Sequence, residues 1–223
     1  VAPRLHVFDM DGTLLRGAAA LELTRHFGDP ETGHAIEARW IAGDISDDEF
    51  WQTLLDVCGD ASAEEVDAAF RGAAWMTGVP ETFADIRGRG EIAIVVSQSP
   101  HFFVRRLEDW GAHETYGTDL ELGRPLRPGV TLSAAAKVEI TDAVRARYGI
   151  AEADCVAYGD SRSDLALFAR LRHTVAVNAT PAVVELAAAT YEGTDIREAY
   201  ALGRELLAGA RPQPSSSGNK NRL

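Results

Sequence analysis

Four short apolar runs constrain this chain more than any other feature. Residues 4–8 (RLHVF) end at Asp9, residues 91–96 (EIAIVV) at Ser97, and residues 154–158 (DCVAY) at Gly159-Asp160; residues 173–177 (HTVAV) complete the set. Helical patterns follow most of them, with residues 132–148 and 162–171 reading as crossovers. Strands of a parallel sheet are covered by helices on both faces, so they read as continuous Val- and Ile-rich runs. The predicted fold class is α/β, a doubly wound, Rossmann-like parallel sheet.

The stretch between the first two runs breaks this rhythm. It is far longer than an ordinary crossover and carries no strand pattern. Helix-like segments fall near residues 21–27, 31–41, 47–57 and 63–75, with breaks at Gly28-Asp29-Pro30, Gly43-Asp44 and Gly59-Asp60. Ser46 with Glu49, and Ser62 with Glu65, have capping-box spacing. Residues 15–77 therefore read as an inserted all-helical cap, with residues 1–14 and 78–208 forming the catalytic core. Residues 118–130 suggest a small hairpin or an irregular excursion. Residues 209–223 are polar and rich in Pro and Ser, the composition of a mobile tail.

Composition narrows the partners. The chain of 223 residues is 46% hydrophobic, which is globular, and its formal net charge is -12. An acidic surface repels nucleic-acid phosphates and anionic lipid, so neither is an expected partner. A phosphorylated substrate would need a recruited cation and local donors. No apolar run approaches the roughly 18 residues of a membrane span. The first run begins at about residue 4, in front of which no signal peptide fits, so a cytoplasmic location is expected. Cys58 and Cys155 lack CxxC or zinc spacing and read as buried thiols, not a disulfide. Oligomeric state is not legible.

Acidic and hydroxyl residues stand at the carboxyl ends of three different runs: Asp9-Met10-Asp11-Gly12-Thr13, Ser97, and Gly159-Asp160-Ser161-Arg162-Ser163-Asp164. Ligands of open α/β sheets bind at that edge. Asp9 and Asp11 can point at one centre, where repulsion raises one pKa unless a cation is present. With Asp160 added, the oxygen-rich set suits Mg²⁺. Gly12 allows a sharp bend that brings backbone N–H groups near an anion. An EF-hand is excluded, because Leu14 follows Thr13 and a strand, not a helix, precedes the loop.

HVFDMDGTLL resembles the first motif of the haloacid dehalogenase superfamily, Ser97 in VVSQSP the second, Lys137 the third, and GDSRSD the fourth. The motif-two context SQSPHFF and the helical insert just after motif one resemble the phosphoserine-phosphatase-like branch, whose cap lies in that position. The resemblance implies a phosphatase acting on a small phosphorylated metabolite, with Asp9 as nucleophile and Asp11 as general acid and base. It also implies Mg²⁺ on the Asp9 carboxylate, the Asp11 carbonyl and Asp160, with Asp164 supporting the metal and Lys137. Gly12, Ser97, Gln98 and Lys137 are the expected phosphate-binding residues. Asp11 argues against a dehalogenase and a P-type ATPase-like enzyme. A sugar-phosphate mutase and a non-catalytic phospho-ligand scaffold are the alternatives outside hydrolysis.

Substrate choice is where the resemblance breaks. Phosphoserine phosphatases carry a Glu nine positions after the nucleophile to grip the amino group; the matching residue here is Ala18. Gln52 aligns with their carboxylate-binding Arg. The expected leaving group is thus a sugar, cyclitol, polyol or amino-acid-like alcohol, with Glu22, one turn from Ala18, as a substitute acid and a phosphoserine phosphatase proper as the alternative. Trp40, Phe50, Trp51, Phe70 and Trp75 read as cap core.

Overall fold

The computed structural model describes residues 3–28 and 30–209. Its elements run β1 (Leu5–Phe8), α1 (Ala19–Phe27), α2 (Pro30–Ala42), α3 (Asp47–Cys58), α4 (Ala63–Arg71), α5 (Val79–Gly88), β2 (Ile92–Pro100), α6 (His101–Val104), β3 (Glu114–Thr118), α7 (Ala134–Tyr148), β4 (Cys155–Gly159), α8 (Leu165–Arg170), β5 (His173–Val177), α9 (Pro181–Leu186), β6 (Ala189–Tyr191) and α10 (Ile196–Leu207). The sheet order is β3-β2-β1-β4-β5-β6, and every pairing is parallel. The chain winds outward from β1 to β3, then returns to β4 on the other side of β1. The strand order therefore reverses beside β1, which opens the crevice where such sheets bind ligands.

Both faces of β1 are buried, as its continuous apolar run requires. Leu5 and Val7 pack with Val144 of α7 and Phe168 of α8. Phe8 faces the other way, stacked on Tyr158 at 4.3 Å and edge-on to Phe83 of α5 at 5.7 Å. The polar residue on that face, His6, is fully buried and contacts Tyr158 Oη at 3.1 Å and Glu91 Oε2 at 2.9 Å. Arg204 of α10 donates to both Glu91 oxygens, tying the last helix to the first strand.

Two strands lie outside the runs read from sequence. β3 (ETYGT) is a sheet-edge strand, polar and interrupted by Gly117, and β6 has only three residues. Neither is apolar enough to stand out. Residues 119–133 form no hairpin; the segment is irregular and docks on the helical insert through Gly123 N–H to Gly59 O, at 2.9 Å. The C-terminal tail falls on residues outside the described ones, except for Gly209.

Helices α1 to α4 occupy the stretch between β1 and α5. Both capping boxes form: Ser46 accepts from Glu49 N–H and Ser62 from Glu65 N–H, with each Glu side chain returning to its cap's backbone. α4 ends at Arg71, four residues earlier than the pattern suggests, with Gly72 as its C-cap. The chain enters and leaves this insert side by side, where Met76 N–H donates to Leu14 O at 2.8 Å and Arg16 N–H to Ala74 O at 2.9 Å. Phe70 and Trp75 are not internal to the insert alone. They pack against Phe103 and Trp110 at ring separations of 4.7 to 6.1 Å, fastening it to the sheet domain.

Candidate active site

The three polar segments converge beyond the carboxyl ends of β1, β2 and β4. Asp9 is the first residue after β1 and only 6% exposed. Its Oδ1 accepts from Met10 N–H at 2.8 Å and lies 3.0 Å from Lys137 Nζ. Lys137 reaches it from the first turn of α7, with Nζ also 2.7 Å from Asp164 Oδ1 and 3.0 Å from Ser163 Oγ. Burial works against the lysine charge, but Asp9 and Asp164 outweigh it and raise its pKa. Asp9 itself lines a cavity of about 380 Å³, between the sheet edge and the helical insert.

Asp164 serves as a fixed post. While Oδ1 holds Lys137, Oδ2 accepts the backbone N–H groups of Asp160 (3.1 Å) and Ser161 (3.2 Å). That clamp sets the loop that presents Asp160. Carboxylate oxygens of Asp9, Asp160 and Asp164 lie within 4.8 Å of one another. Asp160 Oδ1 is buried without a hydrogen-bond partner. Burial, with the Asp164 charge, pushes the Asp160 carboxyl up to about 7. Burial and Asp164 likewise push Asp9 up, Lys137 pulls it back, and Asp160 and Asp11 raise it further. One ammonium among four carboxylates leaves an excess of negative charge and an orphaned oxygen. That donor set fits a hard divalent cation.

Asp11 is expected to meet a metal through its backbone carbonyl, which leaves its carboxylate for other contacts. Its side chain is bound by the protein: Oδ1 accepts from Ala19 N–H at 2.7 Å, and Oδ2 from Ser99 Oγ at 2.6 Å and Ser97 Oγ at 3.1 Å. Burial raises its pKa, and these hydrogen bonds only partly offset it. A carboxyl kept protonated to higher pH on a cavity wall is suited to give up a proton. Ser99 went unnoticed in the sequence because it lies within β2, which runs on to Pro100; the strand's pairing with β3 shifts register between Val96 and Pro100. Such irregularities re-aim side chains at strand ends.

Several expected phosphate contacts are otherwise engaged. Ser97 Oγ is fully buried, donates to Asp11 and accepts from Ser99 N–H at 3.0 Å. Gln98 lines the cavity, but its Nε2 donates to Leu132 O at 2.9 Å. The Gly12 N–H donates to Gly17 O at 3.1 Å, so it is not a free anion donor. Ser161, Ser163 and Thr131 line the cavity instead, and Thr131 Oγ1 is buried with no partner.

What Gly12 supplies is room. Its φ is +73°, and a Cβ there would sit 2.0 Å from Asp160 Oδ2. Gly12→Ala is therefore expected to displace Asp160 and to weaken both cation binding and turnover by more than about tenfold. Gly43 has φ +78° with nothing within 4 Å of the added Cβ. Gly43→Ala should cost about 1 kcal/mol of stability with turnover unchanged. Mg²⁺ titration calorimetry and phosphate release on the pair separate lost space from backbone strain.

On the insert side, only one of the three specificity candidates reaches the cavity. Ala18 lines it. Glu22 is closed off by an ion pair with Arg25, which also donates to Gly72 O at 3.2 Å. Gln52 points away, its Nε2 donating to Asp56 at 2.8 Å and its Oε1 accepting Leu126 N–H at 3.3 Å. One turn of helix from Ala18, and alignment with a cap-helix Arg, fix neither which face of α1 nor which face of α3 meets the cavity. The wall is made by Leu21, Glu37, Trp40, Asp47, Phe50 and Trp51. Trp40, Phe50 and Trp51 are therefore cavity residues as well as packing residues.

A family model of haloacid dehalogenase-like hydrolases matches residues 6–169. Phosphoserine phosphatase of Methanocaldococcus jannaschii is 26% identical over 205 residues, covering 87% of this chain and 95% of that protein. Phosphoserine phosphatase of Archaeoglobus fulgidus is 26% identical over 82% of this chain, which spans about half (55%) of that protein's length. A substrate-bound phosphoserine phosphatase structure superposes with a TM-score of 0.73 at 24% identity, covering 90% of this chain and 98% of that one. At that identity the superposition speaks for the fold alone. The chain belongs to the haloacid dehalogenase-like hydrolase family. Within it, the chain is an enzyme of the phosphatase type.

Proposed function

We propose that this chain is a Mg²⁺-dependent phosphomonoesterase that hydrolyses a small-molecule phosphate through an aspartyl-phosphate on Asp9. The observation that carries the reading is the Asp9 carboxylate: Lys137 and Met10 N–H hold Oδ1, and the same side chain lines the cavity beside Asp11. With Oδ1 held, Oδ2 attacks phosphorus and the ester P–O bond breaks. Asp11 protonates the departing alkoxide, so the alcohol leaves neutral. A water then enters, Asp11 takes its proton, and attack at phosphorus releases inorganic phosphate and regenerates Asp9.

Asp9, the Asp11 backbone carbonyl and Asp160 would hold the cation, with Asp164 bracing the loop. When bound, Mg²⁺ supplies charge neutralisation at the phosphoryl oxygens. Lys137 offsets the charge of Asp9 and Asp164 and keeps the nucleophile oriented. Ser163, Ser161 and Thr131 offer hydroxyls to the phosphoryl group. Residues 15–77 serve as a cap over residues 1–14 and 78–208, because the cavity has one wall from each. Closure of that cap limits water to the molecule Asp11 activates. Among the described residues no helix is long and apolar enough to cross a membrane.

Phosphate release tests this. EDTA should stop turnover and Mg²⁺ should restore it, whereas Ca²⁺, with its larger and looser shell, should not. Full activity in EDTA refutes the metal assignment. The names of the two curated relatives favour L-phosphoserine as a second reading of the substrate.

A further inference from the structure

Glu37 marks the leaving-group end of the cavity. It projects from α2 into the same space as Asp9, yet no hydrogen bond to it is found among the described residues. Burial raises its pKa, the exposed His34 on the same helix lowers it, and the charge of Asp11 raises it again. The other acid of this wall is not in the same position, because Asp47 Oδ1 accepts the Trp40 indole N–H at 2.7 Å. Asp9, Asp11 and Asp160 belong to the reacting centre. Glu37 is thus the cavity carboxylate without a protein donor or a catalytic assignment.

Its neighbours are aromatic. Trp40, Phe50 and Trp51 form a contiguous set, with ring centroids 5.4 Å apart for Trp40 and Phe50 and 4.8 Å for Phe50 and Trp51. The Trp40 N–H is already used by Asp47, so Trp40 and Phe50 present ring surface and give no donor to a hydroxyl-rich leaving group. Among the described residues no Lys, Arg or His lines the cavity, so a leaving group with its own carboxylate finds acidic walls and no cationic partner there. A half-buried carboxylate beside aromatic rings is matched by an alkylammonium, which satisfies the acid and is attracted to the ring faces.

We propose that Glu37, with Trp40, Phe50 and Trp51, selects phosphate esters of amino alcohols that carry a protonated amine and no carboxylate. The proposal rests on the phosphatase reading above and replaces the polyol expectation, whose polar partner Gln52 is turned elsewhere. L-Phosphoserine has the amine but adds the carboxylate this cavity does not accommodate.

The test uses the full chain with Mg²⁺ and compares kcat/KM for 2-aminoethyl phosphate, 2-hydroxyethyl phosphate and L-phosphoserine, with acetyl phosphate as a control without an alcohol. The first two differ only in ammonium for hydroxyl. The aminoethyl ester should be preferred over both by at least about tenfold. Glu37→Gln should collapse that ratio, mainly through KM for the amine, and Glu37→Asp should restore part of it. If acetyl phosphate is cleaved but the hydroxyethyl ester or L-phosphoserine is turned over as well as the amine, the proposal is overturned and the phosphatase reading stands. A preference unchanged in folded Glu37→Gln overturns it too. No phosphate release from any of the four overturns both.

Discussion

Asp9→Asn should lose at least about 10⁴-fold in turnover while remaining folded, the scale expected when a covalent nucleophile is removed. An amide oxygen can still accept Met10 N–H and sit near Lys137, so the local packing survives. What disappears is the anionic oxygen that attacks phosphorus in the proposed mechanism. Stability should move the other way. Asp9 is pushed upward in pKa by burial and by the neighbouring carboxylates, so neutralising it removes like-charge repulsion. The expected pairing is therefore a dead enzyme with an equal or higher Tm in metal-free buffer. Turnover within tenfold of the parent on the same substrate would mean that Asp9 is not the nucleophile.

Lys137→Met has the second-largest expected effect, and it should strike both activity and stability. The side chain is 1% exposed, and its ammonium contacts Asp9, Asp164 and Ser163. Methionine keeps much of the volume but leaves two buried carboxylates without their counter-charge. Breaking a buried pair on one side costs about 3 kcal/mol or more. Turnover should fall by about 10²- to 10³-fold, as when one preorganised donor is removed from a dry site. Thermal unfolding and phosphate release read the two losses separately. High Mg²⁺ should recover part of the stability, because the proposed cation site uses the same carboxylates, but not the turnover. A variant with unchanged Tm and kcat would show that the contacts to Asp9 and Asp164 carry no energy.

The inner strands were legible because burial on both faces leaves a continuous apolar run, as in residues 4–8 and 91–96. β3 and β6 were not, since a sheet-edge strand with a glycine and a strand of three residues make no such signature. Helix ends in the insert were legible wherever a side chain closes its own turn, as at Ser46 with Glu49 and Ser62 with Glu65. Cys58 and Cys155, expected as buried thiols, are free and buried, and burial pushes both thiols up to about 12.

The same division runs through the site. Sequence alone determined which segments meet: Asp9, Asp11, Ser97, Asp160 and Asp164 come together because each follows an apolar run that the α/β pattern aims at one edge, and the resemblance to the third motif added Lys137. Only the tertiary structure decided how their atoms are used. Ser99 entered through the extension of β2, Gly12 through the space its missing side chain leaves for Asp160, and Asp164 through three hydrogen bonds at one corner. The insert's contribution was the least legible. Which face of α2 or α3 meets the cavity depends on packing between helices, not on distance along the chain. Offset from Asp9 therefore selected Ala18 and alignment with a cap-helix Arg selected Gln52, while the folded chain turned Gln52 to Leu126 and brought Glu37, Trp40, Phe50 and Trp51 to the cavity.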